Sequence, residues 1–147
     1  MTGQVNYLVE APELGQECYV LHIQQNLFYS LFKWGNKDLE KRLLALHRVY
    51  ANWLDAQNAA EFLKGFYISH KEQLNYLTSE PEAGAEVWFN LNMDSGQLSV
   101  TSIYFDPNYE GHQSLLKRYW LYRTREDLVK DINLITEALE EEYKKAH

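Results

Sequence analysis

Alternating side chains over residues 86–106 constrain the fold more than any other part of this sequence. Apolar residues first occupy every second position, at Val87, Phe89, Leu91 and Met93. A period of two is that of a β-strand with one buried face. Asp94-Ser95-Gly96 then suits a tight turn, because Gly96 can adopt positive φ. A second alternating run follows at Leu98, Val100 and Tyr104, and Pro107 ends it because proline cannot donate to a ladder. We predict a β-hairpin that buries Phe89, Leu91, Leu98 and Val100 against helices.

The C-terminal residues carry the pattern of an amphipathic helix. Thr124 is a candidate N-cap, and Asp127 three residues later resembles the acidic partner of a capping box. Apolar residues then recur at helical spacing, at Leu128, Ile132, Ile135, Leu139 and Tyr143. Lys144 and Lys145 suit the negative end of the helix dipole. We expect this helix to pack its apolar stripe against the core.

Residues 37–78 are also predicted to be helical, and their pattern leaves one long helix and two shorter helices open. The first apolar face comprises Leu39, Leu43, Leu46, Tyr50 and either Trp53 or Leu54. Asn58, with Glu61 three residues later, resembles a second helix start. The apolar residues that follow it are Phe62, Leu63, Phe66, Leu74 and Leu77.

Residues 4–34 fit two different structures. A helical face would comprise Val20, Ile23, Leu27, Leu31 and Trp34. Two strands fit as well, one over Cys18–Ile23 and one over the aromatic run Leu27–Trp34, with Gln24–Asn26 as the connection. We favour strands because alternation accounts for the first of these segments too.

These patterns together predict the α+β class. We expect an antiparallel sheet with a central hairpin (86–105), packed against two or three long helices. The chain of 147 residues suits one domain, and it contains no linker-like segment, so residues 1–147 are predicted to form a single domain.

The sequence also predicts where the protein works. No run of about 18 apolar residues exists, so no membrane span is expected. The first residues lack the basic and apolar regions of a secretory signal. Cys18 is the single cysteine and cannot form an internal disulfide, which favours a reducing compartment. We therefore expect a cytoplasmic protein.

Negative charge is concentrated in the middle of the chain. The net charge is −7, and residues 72–116 contain no Lys or Arg but seven acids: Glu72, Glu80, Glu82, Glu86, Asp94, Asp106 and Glu110. Such a field repels phosphates and attracts a basic surface, although acidic residues also serve solubility alone. The pattern favours a basic protein partner over a nucleic acid.

One basic and aromatic cluster follows the acidic stretch, at Lys117–Arg125. Bases could stack on such side chains, but the adjacent acids disfavour a polyanion. We predict that its arginines pair with carboxylates inside the domain. The segment Lys117–Arg123 fits either a further strand or the end of a helix that begins near Gln113.

Motifs for catalysis, cofactors and metals are missing from the sequence. The five histidines have no metal-ligand spacing, and no phosphate loop, dinucleotide fingerprint or nucleophile elbow occurs. His47 and His70 lie beside apolar faces and are expected to be packed histidines. Cys18 has acidic neighbours, which raise rather than lower a thiol pKa. We predict no catalytic residues, no cofactor and no metal.

The segment from Glu86 to Arg123 resembles part of a known family. It reads EVWFNLNMDSGQLSVTSIYFDPNYEGHQSLLKRYWLYR and is similar to the C-terminal half of the YezG-like immunity proteins, which are small acidic bacterial antitoxins. The matching positions are Glu86, Trp88, Gly96, Tyr104, Asp106, Arg118, Trp120 and Tyr122. The resemblance implies an α+β fold and neutralisation of a nuclease toxin by direct binding. It assigns no residue a contact with toxin.

Two functional hypotheses follow. The first is an immunity or antitoxin protein that inhibits a basic, nuclease-like toxin domain without catalysis of its own. Its candidate partner-binding residues are Glu86, Trp88, Asp106, Tyr109 and Glu110. Tyr109 would either be an exposed anchor or fold back on the core. The second hypothesis is a cytoplasmic adaptor or chaperone that binds a client protein through an aromatic groove.

Overall fold

The computed structural model describes residues 5–23, 28–90 and 99–145. Their elements run β1 (Glu17–Leu21), β2 (Tyr29–Lys33), α1 (Asp38–Ala45), β3 (Val49–Tyr50), α2 (Trp53–Ser69), β4 (Glu86–Asn90), β5 (Val100–Tyr104), α3 (Glu110–Lys117) and α4 (Arg125–Lys145). Antiparallel sheets and helices thus occur together, which confirms the predicted α+β class.

A three-stranded sheet forms the N-terminal part of the fold, in the order β2-β1-β3. Both neighbours run antiparallel to β1, with Tyr19 opposite Leu31 on one side and Tyr50 on the other. Cys18 and Val20 pack on one face with Trp34, whereas Leu21 joins the main core on the other. The strand interpretation of residues 4–34 is therefore confirmed. The expected connection at residues 24–26 lies outside the described residues.

The predicted hairpin forms a second sheet of two strands. β4 and β5 are antiparallel, with Glu86 opposite Tyr104 and Asn90 opposite Val100. On the side of β4 away from β5, Tyr122 forms an isolated bridge with Trp88. The backbones of these two residues exchange hydrogen bonds of 2.8 and 2.9 Å. Phe89 and Val100 are half-buried and pack against the core. The predicted turn and the predicted buried residues Leu91 and Leu98 lie outside the described residues.

The predicted extension of the first helix through Tyr50 is wrong. α1 ends in a Schellman motif, in which His47 N–H donates to Leu44 O at 2.9 Å and Arg48 N–H to Leu43 O at 3.1 Å. His47 takes a φ of 62°, a conformation that glycine adopts more readily than histidine. The next residues, Val49 and Tyr50, then pair with β1. No glycine marks this helix end, so the sequence pattern does not show it.

The second helix begins earlier and ends earlier than predicted. The Asn52 side chain caps α2 by accepting from Asp55 N–H at 2.9 Å, so Asn58 is not the start. α2 ends at Ser69, and Leu74 and Leu77 lie in the following connection. Residues 37–78 thus hold two helices with a strand between them.

The predictions for the last quarter of the chain are more accurate. Thr124 Oγ1 accepts from Asp127 N–H at 3.1 Å, and α4 follows directly, as predicted. Its stripe is buried at Leu128, Ile132 and Ile135. The preceding helix α3 ends at Lys117, and the chain then bridges to β4 at Tyr122. Each of the two structures considered for residues 117–123 is therefore present in part.

The ion pairs predicted for Arg123 and Arg125 are absent from the described residues. Arg123 and Arg125 are exposed, and neither lies within 4.0 Å of a carboxylate within those ranges. Arg123 precedes α4 and Arg125 begins it, and both side chains project into solvent rather than toward the core.

The remaining features of the fold are its main core and the polarity of its helices. The main core joins β1, α2 and α4 with the aromatic residues Trp120 and Tyr122. Across the described ranges, no helix combines the length and apolarity that spanning a membrane requires.

Candidate functional site

Four of the five predicted partner-binding residues lie at one end of the second sheet. Glu86 starts β4 opposite Tyr104, which ends β5. The pairing continues beyond the strands, since Gly84 N–H donates to Phe105 O and Phe105 N–H to Ala85 O, each at 2.8 Å. The backbone therefore places the acids before β4 beside those after β5. We call this region the acidic end; it comprises Glu80, Glu82, Glu86, Tyr104, Asp106, Tyr109 and Glu110.

Helix α3 is attached to the acidic end by a compact loop. Asp106 N–H donates to His112 Nδ1 at 3.0 Å, and Asp106 Oδ1 accepts from Asn108 N–H at 2.9 Å. Gln113 Nε2 donates to Pro107 O at 2.9 Å and to Glu80 Oε1 at 3.4 Å. These bonds connect Glu80, which precedes β4, with residues 106–113, which follow β5.

Two tyrosines stand exposed among these acids. Tyr104 is 71% exposed and Tyr109 58% exposed, so Tyr109 does not fold back on the core. The Tyr109 ring meets His112 edge to face at 4.7 Å between centroids. It also covers Gly111 so closely that a Cβ there would lie 2.8 Å from the ring. Local packing thus orients Tyr109 while leaving it accessible.

Trp88, the fifth predicted residue, is placed differently. Its side chain is half-buried and packs against the main core, and its backbone forms the bridge to Tyr122. Tyr104 is the residue that sequence reasoning missed, because its place in the alternation suggested burial. Its position as the last residue of an edge strand was the available signal.

A concave surface lies elsewhere, between α2 and the residues that follow α2 and α3. This groove has a volume of about 470 Å³. We call it the aromatic groove; its lining residues are Phe28, Lys64, Tyr67, Ile68, Lys71, Tyr76, Thr78 and Tyr119. Among them only Lys64 and Lys71 carry charge, so the lining is basic although the chain as a whole is acidic.

One wall of the aromatic groove is a face of α2 and the residues just beyond it. Lys64, Ile68 and Lys71 recur at helical spacing. Lys64 Nζ lies 5.1 Å from the centroid of the Phe28 ring and 3.4 Å from Glu61 Oε1. Ile68 is 78% exposed, whereas Tyr67 is buried and its hydroxyl donates to Ile23 O. This wall therefore combines an open apolar side chain with two cations.

A second wall is formed by Tyr76, Thr78 and Tyr119. The rings of Tyr76 and Tyr119 lie 5.1 Å apart between centroids at an angle of 56°. Leu77 N–H donates to Leu121 O at 2.8 Å and joins the two segments. Tyr119 ends α3 in a Schellman motif and takes a φ of 55°, where a side chain is strained.

A buried carboxylate fixes this wall to α4. Asp131 is fully buried and accepts from Asn75 N–H at 2.8 Å and from Asn75 Nδ2 at 3.0 Å. The Tyr122 hydroxyl also donates to it. Burial raises the pKa of Asp131, and the bonds from Asn75 and Tyr122 partly oppose that rise. Asp131 therefore positions Tyr76 through its neighbour Asn75.

Cys18, His47 and His70 occupy packed positions. Cys18 is buried, and burial with the negative charge of Glu40 raises the pKa of its thiol to about 11. The thiol is therefore protonated at neutral pH and a poor nucleophile. His70 stacks on Phe66 and His47 on Tyr143, as packed histidines do. The described part of the chain holds no group of three or more potential metal ligands.

Comparisons with models of protein families, with curated proteins and with solved structures give no match to this chain. The resemblance of residues 86–123 to the YezG-like immunity proteins thus stays a prediction.

Proposed function

We propose that this protein is a non-enzymatic inhibitor of the immunity or antitoxin type, which binds a basic, nuclease-like toxin domain through its acidic end. The observation that supports the proposal is the juxtaposition of exposed carboxylates with the exposed rings of Tyr104 and Tyr109. Carboxylates steer a basic partner toward the surface, and tyrosines supply the anchoring contacts typical of interface hot spots.

The proposed surface suits binding more than catalysis. Its carboxylates are exposed, and the described loop is held by its own hydrogen bonds. A partner would therefore meet a preformed surface, which lowers the entropic cost of association.

Affinity capture from the source cells tests this function. We would compare the wild-type protein with the double variant Asp106→Lys/Glu110→Lys. The matched control is Glu10→Lys/Glu13→Lys, which makes the same change of charge at two exposed acids outside the acidic end. We expect a basic protein to be retained by wild type and control and lost by the double variant.

A second assay then separates inhibition from mere binding. The captured partner should lose its nuclease activity on titration with wild-type protein, with an end point at a fixed molar ratio. Retention of an equally basic protein by all three proteins would contradict the assigned surface. A captured partner that remains fully active in the complex would contradict the inhibitory function.

The second candidate function is an adaptor that holds a client segment. The observation that favours it is the aromatic groove, which has the size of ordinary ligand sites, about 300–1,000 Å³. An exposed Ile68 and the paired rings of Tyr76 and Tyr119 offer apolar surface to an extended chain.

A further inference from the structure

We infer that the aromatic groove binds an acidic peptide segment, in which an apolar or aromatic side chain stands next to a carboxylate. The inference gives the adaptor candidate its ligand chemistry and rests on that candidate for its site. It is independent of the acidic end, which would take a partner of the opposite charge.

The charge of the groove selects an acidic occupant. Lys64 and Lys71 line it, while the chain carries a net charge of −7. A basic ligand would meet two like charges here and would find better sites elsewhere on the surface. Among the described residues Lys71 has no carboxylate within 4.0 Å, so its ammonium group is available to a ligand.

The remaining lining selects an apolar side chain beside that carboxylate. Ile68 is exposed on the same wall as the lysines, and Tyr76 and Tyr119 line the same groove. Tyrosine offers both apolar ring area and a hydroxyl that can bond a peptide backbone. When a carboxylate of the peptide lies near the lysines, the next side chain of the peptide would therefore contact Ile68, Tyr76 and Tyr119.

The number of cations favours a peptide over a nucleic acid. Binding to nucleic acid grows with the number of phosphates that lysines and arginines neutralise. The lining supplies two lysines, and Glu61 already lies 3.4 Å from Lys64. Such a site suits one or two carboxylates and not a run of phosphates.

The strain at Tyr119 is a second observation that points to this site. A side chain at a φ of 55° costs more than glycine would at the same helix end. Residues kept in sparsely populated conformations cluster at functional sites. Among the described residues, Asn36, His47 and Tyr119 are the non-glycine residues with positive φ, and Tyr119 is the one of them that lines the groove.

An array of short peptides with randomised sequences tests the inference. The tagged wild-type protein is compared with Lys64→Glu/Lys71→Glu and with a matched control, Lys41→Glu/Lys130→Glu, which changes the net charge equally at exposed lysines outside the groove. We expect enrichment of Asp or Glu beside aromatic or aliphatic residues. The groove variant should lose this signal by about tenfold or more, because like charges then face each other, and the control should keep it.

The outcomes separate this inference from both proposed functions. Enrichment of basic peptides that vanishes in Asp106→Lys/Glu110→Lys reports on the acidic end alone. Neutral or basic peptides that are lost on Ile68→Ser would keep the adaptor function and overturn the acidic ligand. If no peptide binding depends on Ile68, both the adaptor function and the acidic ligand are overturned. Stronger binding of single-stranded DNA than of any acidic peptide, lost in the groove variant, would replace the peptide by a nucleic acid.

Discussion

The acidic end and the aromatic groove are built in opposite ways. The acidic end draws its residues from two short segments, 80–86 and 104–110, which pair with each other directly. The groove draws on segments near residues 28, 64–71, 76–78 and 119, and one of its walls is held by the buried Asp131. A surface of the first kind changes with little consequence for the core. A surface of the second kind depends on the core being intact.

The largest expected effect comes from removing the buried carboxylate of Asp131, which holds one wall of the groove. Asp131→Ala deletes the two carboxylate oxygens that accept from Asn75 and one partner of Tyr122. We expect the free energy of unfolding to fall by about 2–3 kcal/mol, since buried donors lose their partners. Glu82→Ala at the acidic end should change it by less than about 0.5 kcal/mol, as exposed substitutions usually do.

Chemical denaturation of both variants measures this difference. Equal unfolding midpoints for the two variants would contradict this difference. The groove wall would then contribute no more to the stability of the core than the acidic end does.

An effect of intermediate size is expected on binding at the acidic end. With the captured partner in hand, Asp106→Lys/Glu110→Lys should slow association by about tenfold at low salt and flatten its salt dependence. Tyr109→Ala should chiefly accelerate dissociation, because an exposed ring acts as an anchor. Surface-based binding kinetics at two salt concentrations would distinguish these effects. Unchanged kinetics in both variants would remove this surface from consideration.

A smaller effect on stability should accompany Tyr119→Gly. Glycine relieves the strain at positive φ, worth about 1–2 kcal/mol, while the lost contact with Tyr76 costs about 0.5–1.5 kcal/mol. The two contributions nearly cancel, so the unfolding midpoint should move little while binding of acidic peptides is lost.

His47→Gly provides the matched control for that substitution. His47 occupies the same position of a Schellman motif in α1, and it does not line the groove. Peptide binding should survive this change. Binding that survives both glycine substitutions would show that Tyr119 serves the helix end alone.

The smallest expected effect is a difference in the pH dependence of stability. The folded-state pKa of Asp131 is raised above its unfolded value, so its contribution to stability is full below the unfolded pKa and is lost as pH rises through the folded-state pKa. Asp131→Asn does not titrate. The stability of wild type relative to this variant should therefore decline as pH rises from about 4. A constant difference for Asp131→Asn would contradict the raised pKa.

Short-range patterns explain the parts of the fold that were predicted correctly. The cap at Thr124 and the stripe of α4 depend on residues three and four apart, and both are where the pattern indicated. The strands β1 and β4 likewise follow their alternation. The antiparallel pairing of β4 with β5 brings together residues that are close in the sequence, so most residues of the acidic end could be named in advance.

Long-range contacts explain the errors. α1 stops at Ala45 because Val49 and Tyr50 pair with β1, and because His47 takes a conformation for which the sequence offers no glycine. An aromatic groove was expected under the adaptor hypothesis, but none of its lining residues was predicted. Its trace in the sequence is the helical spacing of Lys64, Ile68 and Lys71.

By itself, then, the amino-acid sequence determined the fold class, the capped C-terminal helix, the paired strands and the acidity of residues 72–116. The free energies behind these features act between near neighbours, through caps, turns and alternating side chains. Only the tertiary structure decided where α1 ends, that Tyr109 is exposed, and that Lys64, Tyr76 and Tyr119 line one groove. Those outcomes depend on contacts such as that between Asn75 and Asp131, which form only when distant segments pack together and bury their polar groups.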